Sequence, residues 1–411
     1  MSKLEDLIAK LCPNGVEYKK IGDIGKVSMC KRILKNQTNT VGDIPFYKIG
    51  TFGKKADSFI SNKLFQEYKQ KYSFPNKGDI LISAAGTIGR VVVYDGEPAY
   101  FQDSNIVWVA NDEKKILNSF LYYIYQLEPW KVSSGGTISR LYNENIAGAT
   151  IPIPPLDVQA EIVRILDTFT ELTAELTAEL TARSKQYEYY RDTLLTFNDN
   201  NPLHSLISRY CPTGVEYHSL EELFVIKNGY TPSKSNSEFW TDGNVPWFRM
   251  DDIRAHGHVL SDSIQHVTKS AVKGGKLFPA NSIILATTAT IGEHALVIVD
   301  SLANQQFTFF SKRESLSFDL DMKYVFYYFF IIDEWCKRNV NAASFASVDM
   351  PRLRKLEIPI PPLEVQHQII QILDRFDALC NDLTKGLPAE IEARRKQYEY
   401  YRNQLLTFKH I

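Results

Sequence analysis

The side chains of this sequence best suited to chemistry are bases and amides. Ile44-Pro45-Phe46-Tyr47-Lys48 and Val245-Pro246-Trp247-Phe248-Arg249 each set a base after an aromatic, strand-like run. Lysine and arginine neutralise phosphate or donate to guanine edges, while asparagine and glutamine match adenine. On that chemistry Lys31, Arg32, Lys35, Lys48, Lys54, Lys55, Arg90 and Gln102 are candidate nucleic-acid contacts in the first half. Lys234, Arg249, Thr287, Thr288, Asn304, Gln305 and Gln306 are the candidates in the second half. Each taken alone reads more readily as a solvated surface residue or turn former; Lys48 and Arg249 stand out because they are matched. Ser83–Gly89 and Ala286–Gly292 are candidate loops for close approach to a ligand backbone, though tight turns demand the same glycines.

Catalytic sets are absent from the sequence pattern. No G-x-x-x-x-G-K-[ST] loop and no G-x-G-x-x-G after a strand offers a phosphate cradle. Asn201-Pro202-Leu203-His204 lacks the second proline and the aromatic of an amino-methyltransferase motif. Glu17-Tyr18-Lys19 and Glu67-Tyr68-Lys69 supply E-x-K without a preceding Pro-Asp. His256, His258 and His266 with Asp251 and Asp252 read as a polar loop rather than a metal cluster.

Elements must position these residues, and an internal repeat shows how many. Cys12-Pro13-Asn14-Gly15-Val16-Glu17-Tyr18 returns as Cys211-Pro212-Thr213-Gly214-Val215-Glu216-Tyr217. Ile151-Pro152-Ile153-Pro154-Pro155-Leu156-Asp157-Val158-Gln159 returns as Ile358-Pro359-Ile360-Pro361-Pro362-Leu363-Glu364-Val365-Gln366, and Lys185-Gln186-Tyr187-Glu188-Tyr189-Tyr190-Arg191 recurs letter for letter from Lys396 to Arg402. The chain is one unit duplicated.

Each unit reads as a head followed by a stalk. The expected boundaries are a first head over 1–150, a first helical spacer over 151–199, a second head over 200–357 and a second spacer over 358–411. Short β-rich runs are expected at Asp79–Ser83, Val91–Tyr94 and Ser282–Ala286, and the aromatic segments Leu117–Gln126 and Met322–Trp335 are candidate helices. After each proline cluster, Pro155 and Pro362 suit the first helical position. Ile165, Phe169, Leu172, Leu176, Leu180, Tyr187, Tyr190, Leu194 and Phe197 then recur mostly every three or four residues, as do Ile372, Phe376, Leu379, Leu383, Leu387, Ile391, Tyr398, Tyr401, Leu405 and Phe408. The expected fold is therefore α+β: two α/β heads joined by two long helices packed as an antiparallel coiled coil, with a pseudo-two-fold internal repeat. Gly386 and Pro388 predict a break in the second helix. Tyr187, Tyr190 and Leu194 share the seam, whereas Tyr189, Arg191, Tyr400 and Arg402 are candidates for binding a partner that could occur in two copies.

Composition sets the outer limits. The 411 residues are 44% hydrophobic and 12% aromatic, enough for real cores. No apolar run approaches the ~20 residues of a membrane span, so a cytoplasmic protein is expected. The five scattered cysteines imply reduced thiols rather than a disulfide framework. The net charge of -1 hides a local excess, since residues 31–90 hold 11 bases against 4 acids.

The order of head, I-P-I-P-P-L-x-V-Q block and K-Q-Y-E-Y-Y-R block, twice over, resembles the specificity subunit of type I restriction-modification enzymes. The Thr-Ala-Glu-Leu tandem over Thr173–Leu180 adds to the likeness. The resemblance implies two target recognition domains, each reading half of a bipartite double-stranded DNA sequence, with the helices as a ruler for the unread spacer. It further implies docking of two methyltransferase subunits and of restriction/translocase subunits. No cofactor is implied for this chain; S-adenosylmethionine, ATP and Mg belong to those partners, and the chain itself does no catalysis. The competing expectation is a coiled-coil scaffold with protein- or glycan-binding heads, whose binding need not weaken with salt as DNA binding must.

Overall fold

A computed structural model describes residues 3–132, 140–341, 346–382 and 385–411. Leu383 of the second apolar stripe lies outside these described residues. The chain divides into two compact units, residues 1–175 with 393–411, and residues 176–392.

The first unit opens with α1 (Lys3–Leu11), β1 (Glu17–Lys20), β2 (Lys26–Met29), β3 (Ile44–Tyr47) and β4 (Phe59–Ile60). There follow α2 (Asn62–Lys71), β5 (Ile80–Ser83), β6 (Val91–Val93), β7 (Tyr100–Phe101) and β8 (Ile106–Ala110). The unit continues through α3 (Asn118–Tyr125), α4 (Asn143–Gly148) and β9 (Thr150–Ile153) into α5 (Leu156–Leu194). Strands β2-β8-β5-β6 form the main sheet, and β4-β3-β7 a smaller one. Because β5 and β8 are covered on both faces they are nearly continuous apolar runs. Ile80, Ile82, Val107 and Val109 pack toward α3 and the start of α5, while Leu81, Ile106 and Trp108 pack toward the small sheet with Phe46 and Tyr100.

The second unit repeats this plan. Its elements are α6 (His204–Tyr210), β10 (Glu216–Ser219), α7 (Leu220–Leu223), β11 (Phe224–Asn228), β12 (Val245–Phe248) and α8 (Met250–His256). Next come β13 (Val259–Leu260), β14 (His266–Val267), β15 (Ser282–Ala286), β16 (His294–Val297), β17 (Leu302–Ala303) and β18 (Phe307–Lys312). The unit closes with α9 (Met322–Arg338), β19 (Val340–Asn341), β20 (Ser347–Val348), α10 (Met350–Arg354), β21 (Glu357–Ile360), α11 (Leu363–Asn381) and the start of α12 (Leu387–Leu405). The main sheet is β11-β18-β15-β16-β13, with β14-β12-β17 as the small one. Ile283, Leu285 and Phe310 face α9, and Ile284, Phe307 and Phe309 face the other layer.

The two proline blocks act as hinges between head and helix in the same way. Both prolines sit one position earlier than the sequence implied: α5 begins at Leu156, and Pro362 is the N-cap of α11. Their carbonyls accept from the first turn, Val158 and Gln159 bonding to Pro155 and Val365 and Gln366 to Pro362. The fully buried Gln159 accepts from Leu117 N (2.8 Å) and donates to Lys115 O (2.9 Å) and Pro154 O (2.7 Å). Gln366, also fully buried, accepts from Asp321 N (2.9 Å) and donates to Pro361 O (2.7 Å) and Asp319 O (3.3 Å). One buried amide thus satisfies three backbone groups, of which the proline carbonyl is itself in a buried bond.

Within the second unit α5 and α11 run antiparallel, since Ser184 meets Cys380 while Tyr187 and Tyr190 pack on Phe376. Within the first, Phe169 stacks on Tyr401 at 5.5 Å. The first helix stops at Leu194, three residues short of the expected Phe197, because Asn201 Nδ2 caps the carbonyls of Thr193, Leu194 and Thr196. The second helix breaks where Gly386 and Pro388 predicted, ending at Asn381 and restarting at Leu387. Gly386 is required there, because a Cβ would lie 2.7–2.8 Å from the carbonyls of Ala378, Leu379 and Asp382. No helix among the described residues is long and apolar enough to cross a membrane.

Candidate nucleic-acid interface

In each head the ends of the small-sheet strands meet the main-sheet hairpin, and the same backbone bonds hold them. Gln102 N donates to Tyr47 O (2.9 Å) and Asn304 N to Phe248 O (3.0 Å), tying the residues that follow β7 and β17 to the ends of β3 and β12. Ala84 N donates to Asn105 O and Thr287 N to Gln306 O; Leu141 N then donates to Ala84 O and Val348 N to Thr287 O. Gly89 N closes on Ser83 O, and Gly292 N on Ala286 O. These bonds give each head a fixed frame with outward loops.

The frame of the first head gathers several of the expected residues. Lys48 follows β3 and is paired with Asp57 at 2.8 Å. Gln102 accepts from Ile49 N at 2.9 Å, and Arg90 donates to Phe52 O at 2.8 Å, so both brace the loop that starts at Lys48. Arg32 reaches Asp103 at 4.0 Å, the Lys31 carbonyl accepts from Tyr100, and Lys31 Nζ lies over the Tyr72 ring. Lys54 and Lys55 are exposed further along the Lys48 loop. Lys35 is exposed on the turn Lys35–Gln37, and among the described residues no side-chain bond joins it to this edge.

The second head assembles its residues more tightly. Arg249 N is clamped by the buried Asp252 (2.6 Å), whose other oxygen holds Ile264 N (2.6 Å). The Arg249 guanidinium packs over Trp247 at 5.6 Å, its nearest carboxylate is Asp251 at 3.9 Å, and its buried Nε has no partner. Asn304 bonds Gln306 twice, accepting from its backbone N and donating to its Oε1. Gln305 accepts from Thr231. Thr287 is not free for a ligand: it is buried and donates to Thr308, which donates to Asn228 (3.0 Å each). Thr288 bridges to Ser347, and Lys234 is exposed in the loop after β11.

Two features escaped sequence reasoning. Arg140 donates to Ser104 O (3.0 Å) and Asn105 Oδ1 (3.4 Å), bracing the β7–β8 loop; the backbone bonds place Ser347 at its position in the other head, so no repeat pointed to it. The second is a set of bases beside β11 that are scattered in sequence: Lys227, Lys273, Lys276, Lys312 and Arg313.

The histidines do not converge. His266 pairs with Asp262 at 2.7 Å, and the Ser263 amide together with this contact holds the Asp262 carboxyl below its ordinary range. His258 bonds the His294 carbonyl, and His256 is exposed. Among the described residues no group of three or more His, Cys, Asp or Glu is arranged to hold a metal ion. All five cysteines are buried and free, and burial pushes Cys30 up to about 12.

On the helices, Tyr189 and Tyr400 are 66% and 58% exposed, as a partner surface requires. Arg191 is instead turned inward, 13% exposed, over Phe330 (4.9 Å) and Tyr187. Arg402 lies over Tyr398 and bonds Asn403.

A duplicated α+β head, each copy followed by a helix and carrying a polar edge at its small-sheet strand ends, is the arrangement by which this chain is classed. The chain belongs to the family described as type I restriction modification DNA specificity domain, whose model matches residues 13–183 and 212–393. It is 61% identical over 182 residues to a putative type I restriction enzyme specificity subunit of Haemophilus influenzae, covering 43% of this chain and 47% of that one. Over 202 residues it is 52% identical to the EcoprrI specificity subunit of Escherichia coli, covering 47% and 50%. These two matches span about half the length of those relatives. Over 316 residues it is 38% identical to the EcoR124I/EcoR124II specificity subunit of Escherichia coli, covering 72% of each chain. The fold matches the crystal structure of an S subunit from M. genitalium, with TM-score 0.54, 14% identity and coverage of 96% and 97%. It also matches a chain from a study of complex assembly in a type I restriction-modification system, with TM-score 0.58, 15% identity and coverage of 96% and 98%.

Proposed function

We propose that this chain is the DNA-reading subunit of a cytoplasmic type I restriction-modification assembly. Each head takes one half of a bipartite duplex target, and the helices set the gap between the halves. The chain catalyses nothing itself. The exposed Tyr189 and Tyr400 faces dock two methyltransferase subunits, and S-adenosylmethionine, ATP and magnesium serve those subunits and the restriction subunits. The observation that supports this reading best is the shared backbone frame with unshared side chains, which suits two related half-sites of different sequence.

Single substitutions test it when the chain is expressed with methyltransferase subunits and the methylated motif is mapped. Arg249→Ala should relax one half of the motif, since a bidentate base contact is worth ~1–3 kcal/mol. Lys48→Ala should affect only the other half, and less, because Lys48 already holds Asp57 in a surface pair worth ~0–1 kcal/mol. Equal loss at both halves from either substitution overturns the reading.

A further inference from the structure

The second unit carries a cationic groove away from its candidate reading edge. It encloses about 720 Å³ and is lined by Lys227, Lys273, Lys276, Lys312 and Arg313, against one acid, Glu314. Four of these bases are exposed: Lys227 on the edge strand β11, Lys312 at the end of β18, and Lys273 and Lys276 in the connection before β15. Lys312 and Arg313 are fixed by bonds to the carbonyls of Leu320 and Glu221, 3.0 Å each. Among the described residues, none of the five joins an ion pair of the second unit. Five like charges in one concavity repel one another, and an anionic polymer relieves that repulsion.

Tyr230 connects this groove to the candidate reading edge. Its hydroxyl accepts from Lys273 N (2.8 Å), and Lys273 Nζ sits 4.5 Å over its ring. Its backbone belongs to the other side: Tyr230 N donates to Ala303 O (2.8 Å), and Tyr230 O accepts from Trp247 Nε1 (3.1 Å). Ala303 precedes Asn304, and the Trp247 ring lies under the Arg249 guanidinium, so one residue walls both surfaces.

Resting on the DNA-reading function above, we propose that this groove carries the phosphate backbone of the duplex whose bases meet Arg249 and Asn304–Gln306. Lys227, Lys273 and Lys276 make sequence-independent contacts, and Lys312 and Arg313 supply fixed positive charge behind them. Backbone contacts of this kind orient a duplex without specifying it.

The test measures binding of the full chain, assembled with methyltransferase subunits, to a duplex bearing its mapped motif over a range of salt. The variant Lys227→Gln/Lys273→Gln/Lys276→Gln should bind at least tenfold more weakly at low salt. Its plot of log affinity against log salt should flatten by about 2–3, at ~0.9 for each phosphate no longer neutralised, while the methylated motif stays unchanged. A Lys→Arg triple variant keeps the charge and should keep the slope, which separates charge from misfolding. An unchanged slope in the folded Gln variant overturns the proposal, as does loss of co-assembly with methyltransferase at constant slope, which would assign the groove to a protein partner. Absence of salt-dependent binding by the unmodified assembly overturns the DNA-reading function, and the groove's role with it.

Discussion

The two heads share their backbone bonds and differ in what those bonds hold out. Around the first frame stand bases: Lys31, Arg32, Lys54, Lys55, Arg90 and Arg140. Around the second frame stand Arg249 and a run of amides and hydroxyls, Thr231, Asn304, Gln305 and Gln306, while other bases gather in the groove behind Tyr230. Backbone geometry is therefore the constant component of the duplication, and polar side chains are the free one. Under the proposed function, charge and base reading would be merged on one edge in the first head and separated in the second.

Residues the two units share should behave as scaffold, with matching effects in both. Gln159 and Gln366 give the strongest case. Gln159→Leu would remove the partner of Leu117 N, Lys115 O and the buried Pro154 O, and Gln366→Leu would do the same to Asp321 N, Asp319 O and the buried Pro361 O. At ~1–3 kcal/mol for the one fully buried carbonyl, with smaller losses at the part-buried groups, each variant should lose about 2–3 kcal/mol in urea unfolding. A loss below ~1 kcal/mol in one unit alone would break the equivalence of the two hinges.

Much of this plan was legible in the sequence, for identifiable reasons. Strands announce themselves as short β-rich apolar runs, so Ser282–Ala286 appears with its expected bounds, and the structure buries it throughout. The helix break is encoded by Gly386 and Pro388, whose backbone restrictions are local. By contrast, the role of Gln159 depends on Leu117, 42 positions away. The cationic groove was invisible because β11 pairs antiparallel with β18, placing Phe224 opposite Lys312 and so bringing Lys227 near bases some 85 positions on. Counting charge by segment averages such a cluster away.

Residues the units do not share should act in one unit only, and Glu161 sharpens that expectation. Its carboxylate accepts from Arg164 (2.7 Å) and Lys3 (2.6 Å), which together hold it down to about 2 from an ordinary 4.5. Aligning Gln159 with Gln366 puts uncharged Gln368 at the matching position. A carboxyl whose folded value is depressed stabilises the fold above its unfolded value, and that contribution fades as pH falls from about 4.5 toward 2. Wild type should therefore exceed Glu161→Gln in urea midpoint near neutral pH, and the gap should close in acid. The gap is modest, because Lys3 and Arg164 are 70% and 63% exposed. A gap independent of pH would show that packing rather than charge holds α1 to α5.

The smallest expected effect lies in the hairpin turns, where the heads fill one backbone position differently. Gly86 has φ +66° and Ala289 φ +61°, in turns closed by the same bond to Ser83 O and to Ala286 O. Left-handed backbone costs an L-residue ~1–2 kcal/mol, and glycine avoids that at a greater loss of unfolded-state freedom of ~0.4–1 kcal/mol. Ala289→Gly should thus gain somewhat less than ~1 kcal/mol. Gly86→Ala should lose about as much, and somewhat more because its Cβ would meet Ile49 Cγ1 at 3.2 Å. Urea midpoints of the two variants measure this directly, and a loss of stability in Ala289→Gly would mean the turns are not equivalent. Strained backbone persists where surrounding structure over-determines it, commonly beside functional loops. If Ala289→Gly is more stable yet binds DNA less well, the strain fixes the loop beside Asn304 and Arg249; if binding is unchanged, the alanine is a tolerated departure from the glycine that the first head retains.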